Sequence, residues 1–336
     1  MRVTLGTCPA VRLALAAFVL AAAPLASAET LFSYGGKAYT DKDLAPAEQQ
    51  ALYDVRYEAY TKEQALTEQA ALNLYLDAQA KKAHKTRQEY EKTVLAVKDP
   101  TDKQIKAWYD SNKQRIPPSL KFEQIKGQIK ELLMEQARKV KRDDLLAKVK
   151  KEKKFKVALT EPVSPVVEIA TAGYPAKGAD KAKATLVEFA DYQCPHCKEA
   201  MEPVDAILKQ FKGKVRLVFM DFPIKGEVSN LLAQGAYCAG QQGKFWEYHD
   251  AAYDKQASLY GKKDAPTTVA KALKLDEAKF KTCLTSDAAK KHVEASRLEG
   301  ERLGINGTPT IYLNGRRVKS FEKADLAKDI ASVLKG

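Results

Sequence analysis

Two cysteines separated by two residues constrain the fold of this 336-residue sequence more than any other feature. Cys194-Pro195-His196-Cys197 follows residues 185–190, an apolar run of strand length, and precedes a helical stretch over residues 195–211. The N–H groups and partial positive charge at a helix N-terminus stabilise a thiolate. The spacing therefore predicts an exposed Cys194 at the helix start and a more buried Cys197 one turn further on.

The two residues inside the motif favour redox chemistry. Pro195 suits the first helical position, because its missing N–H costs nothing there. His196 adds positive charge or a hydrogen bond beside the sulfur. A Cys194 of low pKa is a good leaving group, so the disulfide is less stable than the dithiol and oxidises other thiols.

Other uses of a cysteine pair fit less well. Structural zinc needs a second ligand pair at metal spacing, and Cys238 and Cys283 are not so paired. A c-type haem requires His directly after the second Cys, where Lys198 stands. A structural disulfide remains open, although a two-residue loop is a poor long-range crosslink. We expect neither a metal nor a cofactor.

The first 28 residues have the pattern of a secretory signal peptide. Arg2 and Arg12 supply positive charge, residues 13–23 form an apolar run, and Ala26-Ser27-Ala28 is a small-residue cleavage site. The run falls short of the ~20 apolar residues of a spanning helix. We expect cleavage after Ala28 and export to the periplasm. Loss of Cys8 leaves four cysteines, which permits two disulfides.

The mature chain divides into two halves at an extended segment, residues 161–165. We predict a helical domain over residues 29–161 and an α/β domain over residues 162–336. The net charge of the full sequence is +13, and residues 138–156 carry ten Lys or Arg against three acids. Without interleaved aromatic residues to stack on bases, this run indicates a solvated helix face, and no nucleic acid is expected.

Hydrophobic patterns, together with turn and helix-capping residues, predict the helices and strands of both halves. Gly35-Gly36 indicates a hairpin, and helices are predicted over residues 46–83, from Thr101 to Tyr109, and over residues 122–149. In the second half, further strands are expected at residues 215–222 and 310–313, with a short partner at Arg317-Val318. Helices fill residues 228–303 and 324–334.

The second half resembles the DsbA-type branch of the thioredoxin superfamily. The motifs that carry the resemblance are Val187-Glu188-Phe189, Cys194-Pro195-His196-Cys197, residues 242–249, and Gly307-Thr308-Pro309-Thr310. The resemblance implies an α/β thioredoxin fold with an inserted helical subdomain, here preceded by a mostly α-helical amino-terminal domain. It also implies that Pro309 is cis and faces the disulfide, and that Thr308 presents backbone groups to substrate.

Two further roles follow from the same resemblance. Glu188 is the buried acid near the redox pair and relays the proton of Cys197; the alternative is a strand Glu with its carboxylate in solvent. Cys238 and Cys283 form a structural disulfide within the helical subdomain. The alternative, a second redox pair, is weakened because each of these cysteines lacks a neighbour at the spacing of the motif.

The first half is similar in layout to the chaperone module of SurA-type periplasmic proteins, without their parvulin domain. This similarity implies either peptide holding or subunit pairing. The apolar stripe Ile125, Ile129, Leu132 and Leu133, and the tyrosine stripe Tyr53, Tyr57 and Tyr60, must meet a partner chain, the α/β domain or a client, unless they close a monomeric core.

The sequence thus favours an exported thiol–disulfide oxidoreductase that introduces or exchanges disulfides. Its expected partners are unfolded or thiol-containing exported proteins, a membrane redox partner and a second copy of the chain. Two alternatives remain. One is a dimeric disulfide isomerase or reductase, with which Thr308 before Pro309 is compatible. The other is a peptide-binding chaperone with an auxiliary thioredoxin domain.

Overall fold

The computed structural model describes residues 30–153 and 155–336. The predicted signal peptide, residues 1–28, lies outside the described residues. The chain forms two compact units, one ending at Ala45 and one spanning Pro46–Gly336, and each is described by itself. Among the described residues, no helix combines the length and apolarity needed to cross a bilayer.

The first unit contains a β-hairpin. Strands β1 (Phe32–Tyr34) and β2 (Lys37–Tyr39) pair antiparallel, and the rings of Phe32 and Tyr39 stack across them. Gly35 and Gly36 both have positive φ, at 58° and 78°. A two-residue turn that matches the twist of its strands requires positive φ at both central positions, and glycine adopts it without steric cost.

Four helices begin the second unit. Alanine, leucine, glutamate and lysine, all strong helix formers, dominate the longest of them. Thr86 and Thr101 each cap a helix, with Glu89 and Gln104 completing the capping boxes. The helices are α1 (Pro46–Lys82), α2 (Arg87–Val94), α3 (Asp102–Asn112) and α4 (Phe122–Glu152).

The apolar stripe of α4 is largely covered within the chain. Ile125 and Ile129 are buried against Ile105 of α3, and Leu133 packs at the edge of the same cluster. Near the end of α4, Val149 is buried with Leu72 and Leu76 of α1. Most of the stripe that the sequence left without a partner therefore closes a core of the helices themselves.

The rest of the second unit is built on a five-stranded sheet. Its order is β3-β5-β4-β6-β7, with β4 and β5 parallel and the other pairs antiparallel. The strands are β3 (Ala176–Gly178), β4 (Ala184–Ala190), β5 (Val215–Asp221), β6 (Thr310–Leu313) and β7 (Arg316–Arg317). Strand β3, which is three residues long, was not predicted from the sequence.

Eight helices accompany this sheet. Helix α5 connects β4 to β5, six helices lie between β5 and β6, and α12 ends the chain. They are α5 (Pro195–Gln210), α6 (Glu227–Gly240), α7 (Phe245–Asp254), α8 (Gln256–Leu259), α9 (Ala265–Ala272), α10 (Glu277–Leu284), α11 (Asp287–Arg302) and α12 (Lys323–Lys335). Helices α6 to α10 share one apolar core with Cys194 and Cys197, and His249 is buried in it beside Phe219 and Tyr253.

The tyrosine stripe of α1 contacts the part of the unit that carries the sheet. Tyr53 is buried, and the rings of Tyr53, Tyr57 and Tyr60 stack in sequence. The Lys319 ammonium lies 3.9 Å from the centroid of the Tyr57 ring, a cation–π contact. Of the partners that the sequence left open for this stripe, the structure therefore shows the α/β half.

Candidate active site

The cysteine motif lies where three loops meet at one end of the sheet. Because β4 and β5 are parallel, the loops that follow them leave from the same edge. The loop before β6 joins them there, since β6 runs antiparallel and Thr310 pairs with Phe189. Topology therefore brings the motif, which follows β4, beside Thr308 and Pro309, more than one hundred residues further along the chain.

Asp191 fixes the turn that leads into the motif. This buried carboxylate accepts hydrogen bonds from the backbone N–H of Gln193 and the hydroxyl of Ser229, both at 2.7 Å. It also accepts from the backbone N–H groups of Ile224 and Lys225, at 2.7 and 2.9 Å. One side chain thus satisfies four donors, from the turn before Cys194, the loop after β5 and α6, and it holds that turn against that loop.

Cys194 is the N-cap residue of α5, and Pro195 occupies the first turn as predicted. The expected exposure of Cys194 is wrong, since only 4% of the residue is accessible. The loop before β6 folds over it, and the Cys194 thiol donates to the Thr308 carbonyl oxygen at 3.2 Å. The sulfur is a recessed nucleophile that an extended chain reaches along the Thr308 backbone.

The pKa of the Cys194 thiol is lowered from 9.0 to about 5. The largest cause is a hydrogen bond with the Cys197 side chain, which outweighs the opposing effect of burial. Thr308 and the backbone N–H groups of Cys197 and His196 lower the pKa further. These N–H groups belong to the first turn of α5, as the helix N-terminus argument predicted.

Cys197 has the opposite character. It is completely buried, and burial together with its hydrogen bond to Cys194 raises the pKa of its thiol. The backbone N–H of Asp191 points at its sulfur at 3.5 Å. Both cysteines are free thiols in this structure, so the geometry is that of the reduced pair.

The His196 ring lies in a different place from the one expected. Its side chain is exposed, and Nδ1 is 2.8 Å from Glu199 Oε2 on the next turn of α5. The backbone N–H of His196, rather than its imidazole, is among the groups that stabilise the Cys194 thiolate. The Cys194 thiolate is therefore stabilised by the peptide N–H of His196 and not, as expected, by its imidazole ring.

Glu188 is buried in the middle of β4, with 5% of the residue accessible. Burial raises the pKa of its carboxyl to about 7; Lys177 opposes the rise and Asp205 adds to it. Lys177 and Asp205 form an ion pair at 2.7 Å. Alternation along the strand turns Glu188 to the same face as Leu186 and Ala190, and Leu186 packs against α5 on that face.

The bond between Thr308 and Pro309 is cis. The Thr310 hydroxyl donates to the Gly307 carbonyl at 2.8 Å within the same loop. This leaves the Thr308 carbonyl facing Cys194, where the resemblance places a backbone group for substrate.

Cys238 and Cys283 are bonded to each other and join α6 to α10. Their helices lie in the core described above, which also contains Cys194 and Cys197. In the part of the chain that the structure describes, no group of three or more His, Cys, Asp or Glu side chains is arranged to hold a metal ion.

Sequence reasoning missed two glutamines that contact the turn before Cys194. Gln193 donates through Nε2 to the Ser229 hydroxyl and accepts through Oε1 from the Gly261 N–H. Gln256 donates through Nε2 to the carbonyl oxygens of Tyr192 and Cys194. The place of Gln193 next to the motif was a usable indication, whereas Gln256 lies 62 residues away with nothing in the sequence to mark it.

Fold and motif together define a class, the thiol–disulfide oxidoreductases of thioredoxin fold. The thioredoxin family model matches residues 170–331. Disulfide bond formation protein D of Bacillus subtilis (strain 168) is 31% identical over 179 residues, which are 49% of this chain and 78% of that protein. A probable disulfide bond formation protein D of Bacillus anthracis is 33% identical over 153 residues, 41% of this chain and 68% of that protein.

The chain belongs to the disulfide bond formation protein D family and is a protein disulfide oxidoreductase. Among solved structures, oxidised BdbD of Bacillus subtilis is similar, with 27% identity and a TM-score of 0.47. That comparison covers 52% of this chain and 99% of BdbD. These similarities lie over the carboxyl-terminal half.

Proposed function

We propose that Cys194 and Cys197 are the redox pair of an exported oxidase that introduces disulfides into other exported proteins. The observation that carries this proposal is the placement of Cys194 at the N-terminus of α5 with its sulfur 3.2 Å from the Thr308 carbonyl. This placement gives one sulfur the properties of a good leaving group and leaves the other protonated.

The exchange begins with the oxidised pair. A substrate thiolate attacks Cys194 Sγ and forms a mixed disulfide, while the Cys194–Cys197 bond breaks and Cys197 leaves with the bonding electrons. Cys194 is the attacked sulfur because Cys197 is completely buried. The departing Cys197 thiolate takes a proton, since burial strongly favours its neutral form.

Glu188 supplies that proton in this proposal. With a pKa of about 7 its carboxyl is partly protonated at neutral pH, so it gives a proton when Cys197 leaves and accepts one on reoxidation. A second substrate thiolate then attacks the substrate sulfur of the mixed disulfide, and Cys194 leaves as a thiolate. The substrate is oxidised by two electrons, and the enzyme remains as the dithiol.

A membrane redox partner reoxidises the dithiol, and thiol-containing exported proteins are the substrates. Residues 1–28 direct the chain to the periplasm and are removed after Ala28. Residues 29–161 form the helical domain with the SurA-like layout. Residues 162–336 form the thioredoxin domain, with the helices between β5 and β6 as its inserted subdomain.

Titration of the reduced protein tests the redox assignment. We expect Cys194 to ionise well below the ~8.5 of free cysteine, as measured by thiolate absorbance or alkylation rate against pH. Cys194→Ser should remove this titration, whereas the Cys238→Ser, Cys283→Ser double variant should retain it. A Cys194 that ionises near pH 8 or above would refute the oxidase assignment.

The isomerase or reductase alternative is separated by the redox state in the cell. Rapid alkylation of cells traps Cys194 and Cys197 as they are. An oxidised pair is expected for the oxidase, because the proposed membrane partner reoxidises the dithiol faster than substrates reduce the disulfide, although the stabilised Cys194 thiolate favours the dithiol at equilibrium. A reduced pair would support the isomerase or reductase.

The helical half is proposed to join two copies of the chain. Between Tyr53 and Leu72 no residue of α1 is buried, and Leu66 in this stretch is 72% accessible. Val55 and Leu74 of α1 and Val140 of α4 are exposed as well. Light scattering on the mature protein tests pairing, with Leu66→Glu as the variant expected to dissociate it. A monomer at micromolar concentration would refute stable pairing.

Peptide holding is a second candidate for the same half. A groove of about 330 Å³ between α1 and the end of α4 is lined by apolar side chains that include Leu74, Tyr75 and Phe155. Suppression of client aggregation that survives Cys194→Ser and is lost in Leu74→Lys would support this function.

A further inference from the structure

The segment that contains α8 lies outside the redox motif and forms hydrogen bonds with the turn before Cys194. The Gly261 N–H donates to Gln193 Oε1 at 2.8 Å, and Gln256 Nε2 donates to the Tyr192 and Cys194 carbonyl oxygens, both at 2.9 Å. The Lys198 ammonium adds a contact to the Asp254 carbonyl at 3.2 Å. The inserted helices therefore reach the redox pair through hydrogen bonds as well as through packing.

The Gln256 amide binds two backbone carbonyl oxygens with one nitrogen. Its nitrogen carries two hydrogens, and each is used by one carbonyl oxygen. The flipped amide would place Oε1 against two carbonyl oxygens, so the orientation is fixed by chemistry. Gln256 is only 8% accessible, so water does not readily replace either bond.

The Cys194 carbonyl that Gln256 binds also begins α5. The same oxygen accepts from the backbone N–H groups of Cys197 at 3.2 Å and Lys198 at 3.4 Å. Its orientation therefore couples the reacting residue to the first turn of the helix. The N–H groups of this turn are the ones that stabilise the Cys194 thiolate.

We propose that Gln256 is a positioning residue of the redox pair, which ties the inserted helices to the backbone of Tyr192 and Cys194 and keeps Cys194 Sγ against its N–H donors. The inference rests on the proposed function, in which Cys194 is the sulfur that the substrate attacks and that later leaves as a thiolate. Gln256 does not touch the substrate, so its effect is on the chemical properties of the sulfur and passes through the backbone.

Gln256→Met tests this role, because methionine has a similar volume and no N–H. We expect the pKa of Cys194 to rise by about one unit in the full mature protein, a tenfold change in the ionisation constant. The Cys194–Cys197 pair should also become less oxidising in equilibrium with glutathione. Gln256→Asn withdraws the amide by one methylene and should raise the pKa in the same direction, which keeps the test available if Gln256→Met does not fold.

Gln242→Met is the matched control. Gln242 also binds a distant backbone through its amide, at the N–H and carbonyl of Asp276, but away from the redox pair. We expect it to lower the melting temperature and to leave the Cys194 pKa unchanged.

The outcomes separate this inference from the proposed function. If both Gln256 variants lower the melting temperature and titrate as the wild type does, with a low Cys194 pKa in all, Gln256 is merely structural and the inference is overturned alone. If wild-type Cys194 itself titrates as free cysteine does, the proposed function and the inference fall together.

Discussion

The two cysteine pairs of this protein share an environment of low solvent access but differ in where they lie on the backbone. Cys194 and Cys197 span the first turn of α5, while Cys238 and Cys283 are 45 residues apart on α6 and α10. Cys194, Cys197 and Cys238 are all buried. Burial therefore does not distinguish the pairs; the hydrogen bond between the Cys194 and Cys197 side chains and the backbone N–H groups of the α5 turn, which lower the pKa of Cys194, make the difference.

The largest expected effect comes from comparing variants that remove cysteines of one pair or of the other. Cys194→Ser removes the sulfur that the substrate thiolate attacks and leaves Cys197 without its disulfide partner, so disulfide formation in a reduced model substrate should fall by roughly three orders of magnitude or more. The Cys238→Ser, Cys283→Ser double variant should keep its turnover. It should unfold several degrees lower, since a disulfide that closes a loop of this length stabilises by about 4 kcal/mol.

Loss of turnover in the double variant, with Cys194 still ionising at low pH, would show that both pairs take part in the reaction. Turnover and thermal unfolding should be measured on the same preparations, so that a folding defect is not read as a catalytic one.

A smaller effect is expected at Glu188, which serves the first pair alone. Glu188→Gln keeps the shape of the side chain and removes its titratable proton. Reoxidation should slow by about a hundredfold, the low end of what a positioned acid or base contributes, and the rate should lose its dependence on pH near 7. Glu202→Gln, which changes an exposed carboxylate of α5, is the control. A pH profile that keeps its inflection near 7 in Glu188→Gln would assign that inflection to another group.

The smallest effect, counted per pH unit, is a dependence of stability on pH that appears only when the first pair is reduced. The pKa of Cys194 is about 5 in the folded dithiol and near 9 when unfolded, so ionisation stabilises the folded form above pH 9 and this contribution disappears as pH falls through 5. Between these values the reduced protein should gain up to about 1.4 kcal/mol per pH unit relative to the oxidised protein.

Denaturant unfolding of both redox forms at pH 5, 6, 7 and 8 measures this difference. Other buried acids, such as Asp221, are present in both forms, so their contributions largely cancel in the comparison. Parallel curves for the two forms would contradict a low Cys194 pKa.

The fold was most predictable where one local pattern dominates. Strands β4 and β5 are apolar runs of strand length, and α4 has a clear apolar stripe, so their positions agree with the sequence to within a few residues. Strand β3 was missed because three residues that end in glycine carry no alternation; it forms because the β5 edge offers unpaired backbone groups. Helix α2 is eight residues long and carries its information mainly in its Thr86 cap.

The site divides in the same way. The position of Cys194 at a helix start follows from residues next to it in sequence, and so does the position of Pro195 in the first turn. The recessed position of Cys194 depends on a loop more than one hundred residues away, and the His196 ring turns toward Glu199 because an exposed histidine binds its nearest carboxylate. Contacts of this kind are set by tertiary packing, which no local pattern encodes.

The length of helix α1 determines how the contacts at its two ends are rotated relative to each other around the helix axis. Tyr53 and Tyr57 hold its beginning against the residues around Lys319, and Leu72 and Leu76 hold its end against α4. Each residue of an α-helix advances the chain by about 1.5 Å and turns it by about 100°. Insertion of one alanine into the mostly exposed stretch between Tyr60 and Leu72 would therefore rotate α2, α3 and α4 by about 100° around the helix axis. The same insertion would move them along that axis by only about 1.5 Å. The length of this stretch thus sets the rotation of α2, α3 and α4 relative to the residues around Lys319.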